Sequence, residues 1–216
     1  MKKSLVVAVV SAAAFVLPVT ASVAAESSAF AQVTSNYVFR GQTQTQDDPA
    51  VQAGYDIKQS KDDTGWYAGV FASNVTDGLE IDLFGGWKDS FGAQKNMGYD
   101  VGVILYKYTD SINTDITEVY AGFNYETAFV KLYAGNGSGI NSYTFLDAGA
   151  SFIVMQDIDL NLHAGRMLSS PSWNYVGADL TMEVKGFDLS LGLTLEDAGP
   201  KNDVEFFVTV GKKFDL

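Results

Sequence analysis

Cysteine is absent from the 216 residues, which excludes disulfides, thiolate metal ligation and a cysteine nucleophile. Stability must therefore come from packing and backbone hydrogen bonds. Histidine occurs once, as His163, so no multi-histidine metal centre can form. Basic side chains are also scarce, with 14 Lys and Arg against 26 Asp and Glu. A polyanion of this kind is a poor binder of nucleic acid, where phosphate neutralisation needs clustered Lys and Arg. Finally, no run beyond the first 25 residues is apolar and long enough for a transmembrane helix, and none keeps a helical apolar period over several turns.

The first 25 residues read as a cleaved export leader. Lys2 and Lys3 supply a basic start, "LVVAVVSAAAFVLPV" an apolar stretch and "SVAAE" a small-residue cleavage site, with the cut placed after Ala25. A membrane anchor fits less well, because Pro18 and the Ala/Ser-rich tail interrupt the run. Removing Lys2 and Lys3 leaves 12 basic against 26 acidic side chains, a net charge of −14. Residues 26–216 show no linker or composition break and read as one domain.

Alternation with a period of two recurs through that domain. Clear cases are "VQAGYDIK", "LEIDLFGGW", "YDVGVILYKY", "DLNLHAG", "GFDLSLGLTLED" and "VEFFVTVGK". Weaker ones, such as "FAQVTSNYVF" and "NYVGADLTM", bring the count to about twelve strands, separated by turn clusters such as "VTDG", "KDSFGAQKN" and "EDAGPKND". In "GFDLSLGLTLED", Phe187, Leu189, Leu191, Leu193 and Leu195 share one face and Asp188, Ser190 and Thr194 the other. A soluble sandwich would also be polar on its outer faces, so alternation alone leaves two solvents open.

Three features favour lipid. Tyr37, Trp66, Trp87, Tyr108, Tyr125 and Trp173 lie near strand ends, as aromatic girdles require; the strand count is even; and the last strand is apolar-alternating. If the first strand runs outward, the connections near 58–64, 88–96, 126–127, 155–157 and 184–186 face one side, and the three shortest fall there. The fold expected is an all-β, up-and-down antiparallel transmembrane barrel of about twelve strands. Lys212 falls in the apolar phase of the last strand, close enough to the rim to snorkel into the headgroup region.

The stretch "TSNYVFRGQTQTQDDPAVQAGYDIKQSKDDTGWYAGVFASNV" closely resembles the opening of the TorF-family porins of Gram-negative bacteria. The residues that carry the resemblance are Ser35, Asn36, Tyr37, Phe39, Arg40 and Gly41, then Pro49 to Gln52, Gly54, Gly65, Tyr67, Gly69, Ser73 and Asn74. It continues through Glu80, Ile81, Asp82, Gly85 and Gly86, through "MGYDVGVILYKY" and "TEVYAGFNY", to the "KKFDL" ending. The resemblance implies an outer-membrane β-barrel porin of Gram-negative bacteria; it carries over no catalytic residue and no cofactor. Many outer-membrane chains end in Phe, whereas this one ends in Leu216.

With apolar faces in lipid, the alternating charged residues point into the lumen. The candidates are Arg40, Glu80, Asp82, Asp100, Glu118, Lys131, Asp147, Asp159, His163, Asp179, Asp188 and Glu205. A channel so lined should favour cations and serve small hydrophilic solutes or ions, with outer-membrane lipid as its other partner. Inward glycines such as Gly102, Gly122, Gly149, Gly165, Gly177 and Gly192 are expected to leave a narrow opening. The opposing reading is a closed structural or binding barrel, whose carboxylates pair with Arg40, Lys131 and hydroxyls to fill a small interior.

Two further readings stay open. A soluble periplasmic sandwich would need no membrane. A lipid-modifying enzyme would need a nucleophile near His163, whose expected inward neighbours are Gly149, Gly177, Asp147 and Asp179, so a hydrogen-bonded lumen histidine is favoured and no enzymatic activity is expected. "GNGSGIN" lacks the Lys-Ser/Thr and helix of a phosphate loop and reads as an outer loop.

Overall fold

The computed structural model describes residues 25–59, 64–92, 94–109, 115–137, 139–199 and 203–216. All but the last residue of the expected leader lies outside them. The described chain contains fourteen strands and no helix: β1 (Ala25–Thr34), β2 (Val38–Phe39), β3 (Gln42–Thr43), β4 (Ala50–Gln59), β5 (Gly65–Val75), β6 (Gly78–Phe91), β7 (Met97–Tyr108), β8 (Ile116–Tyr125), β9 (Ala128–Gly137), β10 (Ile140–Met155), β11 (Ile158–Met167), β12 (Asn174–Val184), β13 (Phe187–Glu196) and β14 (Asp203–Asp215).

Twelve of these, β1 and β4 to β14, pair with their sequence neighbours in antiparallel order, and β1 closes against β14. Closure removes both sheet edges and satisfies the backbone without water. A strand of about ten residues, rising about 3.3 Å per residue and tilted by about 40°, spans roughly 25 Å, the height of the apolar band of such barrels.

The barrel is inside out relative to a soluble protein. Val51, Leu83, Val103, Leu132, Leu191, Leu193 and Val208 are exposed, whereas Gln52, Ser73, Glu80, Glu118 and Thr194 are buried. The register explains it, because each apolar residue faces its apolar counterpart across the ladder. Leu189 pairs with Met182, Leu191 with Leu180 and Leu193 with Ala178, while Thr194 pairs with Gly177 on the opposite face. An apolar belt running round the whole wall is far larger than a soluble monomer tolerates. The chain forms an antiparallel transmembrane β-barrel of twelve strands.

Both described termini sit at one end, where Leu216 N–H donates to Ser27 O at 3.0 Å. That end also carries the two-residue turns at 126–127, 156–157 and 185–186. At Glu126, Asp157 and Lys185 φ is positive, at 52°, 61° and 54°. Lys212 is outward there, its Nζ 5.3 Å from the Phe187 ring centroid and 5.8 Å from that of Phe214. Two aromatic faces thus hold the cation in an otherwise apolar phase.

Four sequence expectations change. The strand expected over "FAQVTSNYVF" stops at Thr34, and residues 35–49 form a connection that contains the β2–β3 hairpin. The turn expected over "KDSFGAQKN" is shorter, because β6 continues to Phe91. The girdle is half of what was expected: Trp66, Trp87 and Tyr125 are outward by register, but Tyr108 faces Glu80, Tyr37 packs tilted against Phe71 at 6.0 Å, and Trp173 packs on Phe145 at 6.3 Å. Of the eleven tyrosines only Tyr55, Tyr99 and Tyr125 lie on the outer face.

The fourth concerns the inward glycines, whose space is occupied. A Cβ at Gly102 would meet the Tyr120 hydroxyl and Gly85 O; at Gly149, the Phe129 ring; at Gly165, the Tyr175 and Phe145 rings; and at Gly192, the Phe207 ring. Glycine on one strand lets an aromatic ring from the next lie flat on the wall. Beside these glycines the lumen wall is lined by rings rather than left as empty space.

Candidate functional site

The lumen holds the charged chemistry, and the β2–β3 hairpin organises it. Phe39 pairs with Gln42 across a two-residue turn, Arg40-Gly41, with φ of 50° and 85°. Positive φ at both positions suits the turn type that matches strand twist, and glycine takes the second without cost. A Cβ at Gly41 would also meet Tyr175 Cβ, so only glycine fits against the wall there.

Arg40 is the tip of this hairpin rather than part of the wall. Its Nη1 and Nη2 donate to Glu118 Oε1 and Oε2 at 2.6 and 2.9 Å. The same carboxylate accepts from Tyr106 Oη at 2.8 Å and Tyr143 Oη at 2.7 Å, and Glu118 is 0% exposed. Four donors on two oxygens satisfy a carboxylate buried away from water. The guanidinium also lies over the rings of Phe145, Tyr133 and Phe39, at 4.3, 4.6 and 4.8 Å. The base of the segment is tied as well, since Asn36 Nδ2 donates to Glu205 Oε2 at 2.7 Å and Asp47 Oδ1 at 2.9 Å.

The expected lining residues fall at three depths. Glu80, Asp82, Glu118 and Glu205 lie in the half furthest from the termini, around the hairpin. Glu80 accepts from Tyr108 Oη at 2.9 Å, yet Glu80 Oε2 and Asp82 Oδ1 have no hydrogen-bond partner. Asp147, His163 and Asp179 lie midway. Asp147 accepts from Tyr175 Oη at 2.7 Å, and Asp179 accepts from Asn161 Nδ2 at 2.8 Å and is 3.7 Å from His163 Nε2. Towards the termini, Lys131 pairs with Asp100 at 2.6 Å, and Asp100 also accepts from Tyr67, whose hydroxyl meets that of Tyr120. Asp159 and Asp188 are exposed at that mouth.

Acidic charge therefore outweighs basic charge along the lumen. Arg40 and Lys131 are each consumed by one carboxylate, whereas Glu80, Asp82, Asp147 and Asp179 have no Lys or Arg partner among the described residues. His163 has only Gly149 and Gly177 across from it.

Two cavities lie below and beside the hairpin. One, of about 310 Å³, runs under Phe39, Arg40 and Gly41 and reaches Asp147, His163, Asp179 and Thr194. Its neighbour of about 290 Å³ has neutral walls, among them Gln32, Asn36, Gln52 and Thr209; Val38 and Phe207 line both. A third of about 400 Å³ opens towards the termini at Lys88, Asp100 and Lys131. Sequence reasoning placed Thr194 on the lumen face without a role and missed Asn36, Tyr106, Tyr143 and Tyr175 as lumen residues. Tyr106 was recoverable, because it alternates in phase with Asp100 in "YDVGVILYKY".

A closed transmembrane barrel with an acidic, hydroxyl-rich lumen and an inserted hairpin has the build of a channel protein. The chain belongs to the Gcw_chp family, described as bacterial proteins of unknown function, whose sequence profile matches residues 19–209. No curated protein matches the sequence. Among solved structures it is similar to the KdgM porin, at 8% identity with a TM-score of 0.61, over 87% of this chain and 99% of that one. It is also similar to an outer membrane channel from Pseudomonas putida F1, at 12% identity and TM-score 0.59 over 89% and 96%. The NanC porin matches at 9% identity and TM-score 0.54 over 88% and 100%. At these identities the likeness is one of fold.

Proposed function

We propose that the protein is an outer-membrane channel for small hydrophilic solutes or ions with a preference for cations, and not an enzyme. In this reading residues 1–25 export the chain and are removed, residues 26–216 form the barrel, and the hairpin enters the lumen from the cell exterior. The resemblance to TorF-family porins supports it, because Asn36, Arg40 and Gly41 of that stretch build the hairpin, and Glu80, Asp82 and Glu118 surround it.

The single observation behind it is the division of solvents. Apolar side chains dominate the outer wall, while carboxylates, several without Lys or Arg partners among the described residues, line the inside. Such a lumen sets a negative potential, which draws in cations and repels anions. One KdgM structure is of a complex with oligogalacturonate, a polyanion, over 87% of this chain at TM-score 0.62. Asp147 and Asp179 here argue for the opposite charge of solute.

The test is single-channel recording of the purified barrel in planar bilayers under a potassium chloride gradient. A reversal potential on the cation side that moves towards zero in Asp147→Asn and Asp179→Asn is expected; a barrel folded by heat-modifiable migration but without conductance sinks the reading. The second reading, a closed barrel that works by binding, is favoured by one observation, the seating of Arg40 on Glu118 within the lumen. Zero conductance in the wild type would select it.

A further inference from the structure

We infer that the cavity beneath the hairpin is a binding site for a small alkylammonium ion. Three acceptors with unused capacity line it. The Asp147 carboxylate accepts from Tyr175 Oη and from Ala148 N–H, which leaves lone pairs to spare. Asp179 Oδ2 takes one from Asn161, and Asp179 Oδ1 has only the long approach of His163. Thr194 is 2% exposed and its Oγ1 has no partner at all, although a buried hydroxyl is ordinarily hydrogen-bonded. Asp179 and Thr194, two residues apart in register on adjacent strands, can share the N–H donors of one primary ammonium, and Asp147 adds a second negative charge to the same chamber.

The placement is built by the wall. His163 pairs with Gly177 in register, and Gly177 pairs with Thr194. Because residue 177 is glycine, the imidazole of His163 and Cγ2 of Thr194 share the space a Cβ would fill, which brings β11 and β13 side chains together over β12. Asp179, two residues on, faces the same side. The Phe207 ring, lying flat over Gly192, and the Tyr175 ring give the chamber apolar walls for an alkyl chain.

Charge selects the ligand. Arg40 roofs the chamber, but its charge is matched by the bidentate Glu118, and neither Asp147 nor Asp179 has a Lys or Arg ion-pair partner among the described residues. An anion would face both. A neutral alcohol could enter the volume of about 310 Å³ and donate one hydrogen bond, but it would bring no charge to offset the carboxylates. The site deepens the channel reading but does not need ions to pass, so binding without conductance would refute the channel and keep the site.

Trp173 packs on Phe145, which stacks on Tyr175 at 6.1 Å, and so reports on the chamber wall. In a Trp66→Phe/Trp87→Phe background it is the sole tryptophan. Titration of that barrel in detergent with n-butylammonium chloride should give a saturable change in emission, absent with n-butanol or with sodium chloride at equal ionic strength. Asp179→Asn should weaken it by about tenfold, as loss of one charged hydrogen bond predicts. Thr194→Val, which keeps shape and removes only the hydroxyl, should weaken it by a smaller factor and serves alone if the Asp179 variant does not fold. A flat titration, an equal response to butanol or sodium, or unchanged affinity in the folded variants would overturn the inference.

Discussion

Replacing Arg40 with alanine should release the hairpin from the lumen while leaving the wall intact. The substitution strips Glu118 of its bidentate partner and leaves a fully buried carboxylate with two tyrosine donors. Removing one member of a buried ion pair typically costs about 3–5 kcal/mol. The guanidinium's contacts with Phe145, Tyr133 and Phe39 are lost too, and at about 0.5–2 kcal/mol each they add to the shift. At 1.4 kcal/mol per tenfold, the ion pair alone moves the ratio of inserted to withdrawn hairpin by roughly a hundredfold to a few thousandfold. Withdrawal takes Val38 out of the wall that the cavities of about 310 and 290 Å³ share with Phe207, and so enlarges the space between them. Single-channel conductance of Arg40→Ala should therefore rise severalfold over wild type, with heat-modifiable migration unchanged. Gly41→Ala reaches the same end without touching a charge, because φ of 85° disfavours a side chain and the new Cβ meets Tyr175. Wild-type conductance in both variants would refute the claim that the hairpin sets the opening.

Three other outcomes follow from the wall and the loops. Leu191→Arg, at the middle of β13 and 42% exposed, should destabilise the barrel in lipid by about 2–4 kcal/mol, measured by urea titration in vesicles, whereas Ser190→Arg on the lumen side should cost far less. Gly102→Val should lower the temperature of the heat-modifiability transition, because its side chain meets Gly85 O, which cannot swing aside, as well as Tyr120; about 1–3 kcal/mol is expected for such overpacking. Asp115, in the loop after β7, has its carboxyl held below the ordinary aspartate value by hydrogen bonds from Lys107 Nζ and Tyr108 N–H. A lowered value means that the contact is fully present above the ordinary aspartate range and is lost as pH falls through the lowered one. Protection of the Tyr108 amide in hydrogen exchange, corrected for intrinsic rate, should accordingly hold at pH 5 and fall towards pH 2; protection that held to pH 2 would contradict it.

How much of this the amino-acid order discloses depends on the kind of interaction. The wall is legible because alternation is a local property: Leu189, Leu191, Leu193 and Leu195 declare their common face without knowledge of any partner. The acidic lining is legible for the same reason, and Glu80, Asp82, Glu118 and Asp179 sit in the phase opposite to those apolar faces. The hairpin is not legible. "NYVFRGQ" alternates like a strand, and what turns it inward is a pairing 78 residues away, Arg40 with Glu118, and another 169 residues away, Asn36 with Glu205. Glycine misleads for a related reason: Gly192 reads as space until the neighbouring strand supplies Phe207 to cover it.

That last point decides where selectivity would reside in the proposed channel. Barrels of about eight strands are filled by side chains and those of 16–18 hold open water, so at twelve the contents of the lumen set the bore. The rings over glycine belong to the wall and stay with it, but the hairpin is an inserted segment held by side-chain contacts of Asn36 at its base and Arg40 at its tip, and by Gln44 O, which accepts from Thr76 N–H at 2.9 Å. Its removal changes charge as well as width. Arg40→Ala subtracts the one lumen-facing basic group, among the described residues, in the half that holds Glu80, Asp82, Glu118 and Glu205, so the wider channel should also be the more cation-selective. Glu118→Gln breaks the same ion pair but leaves the guanidinium in place, so it should widen the channel while shifting the reversal potential towards anions. Conductance that rises in both variants with reversal potentials that diverge separates bore from charge; parallel shifts would place the selectivity elsewhere, at the Asp159 and Asp188 mouth.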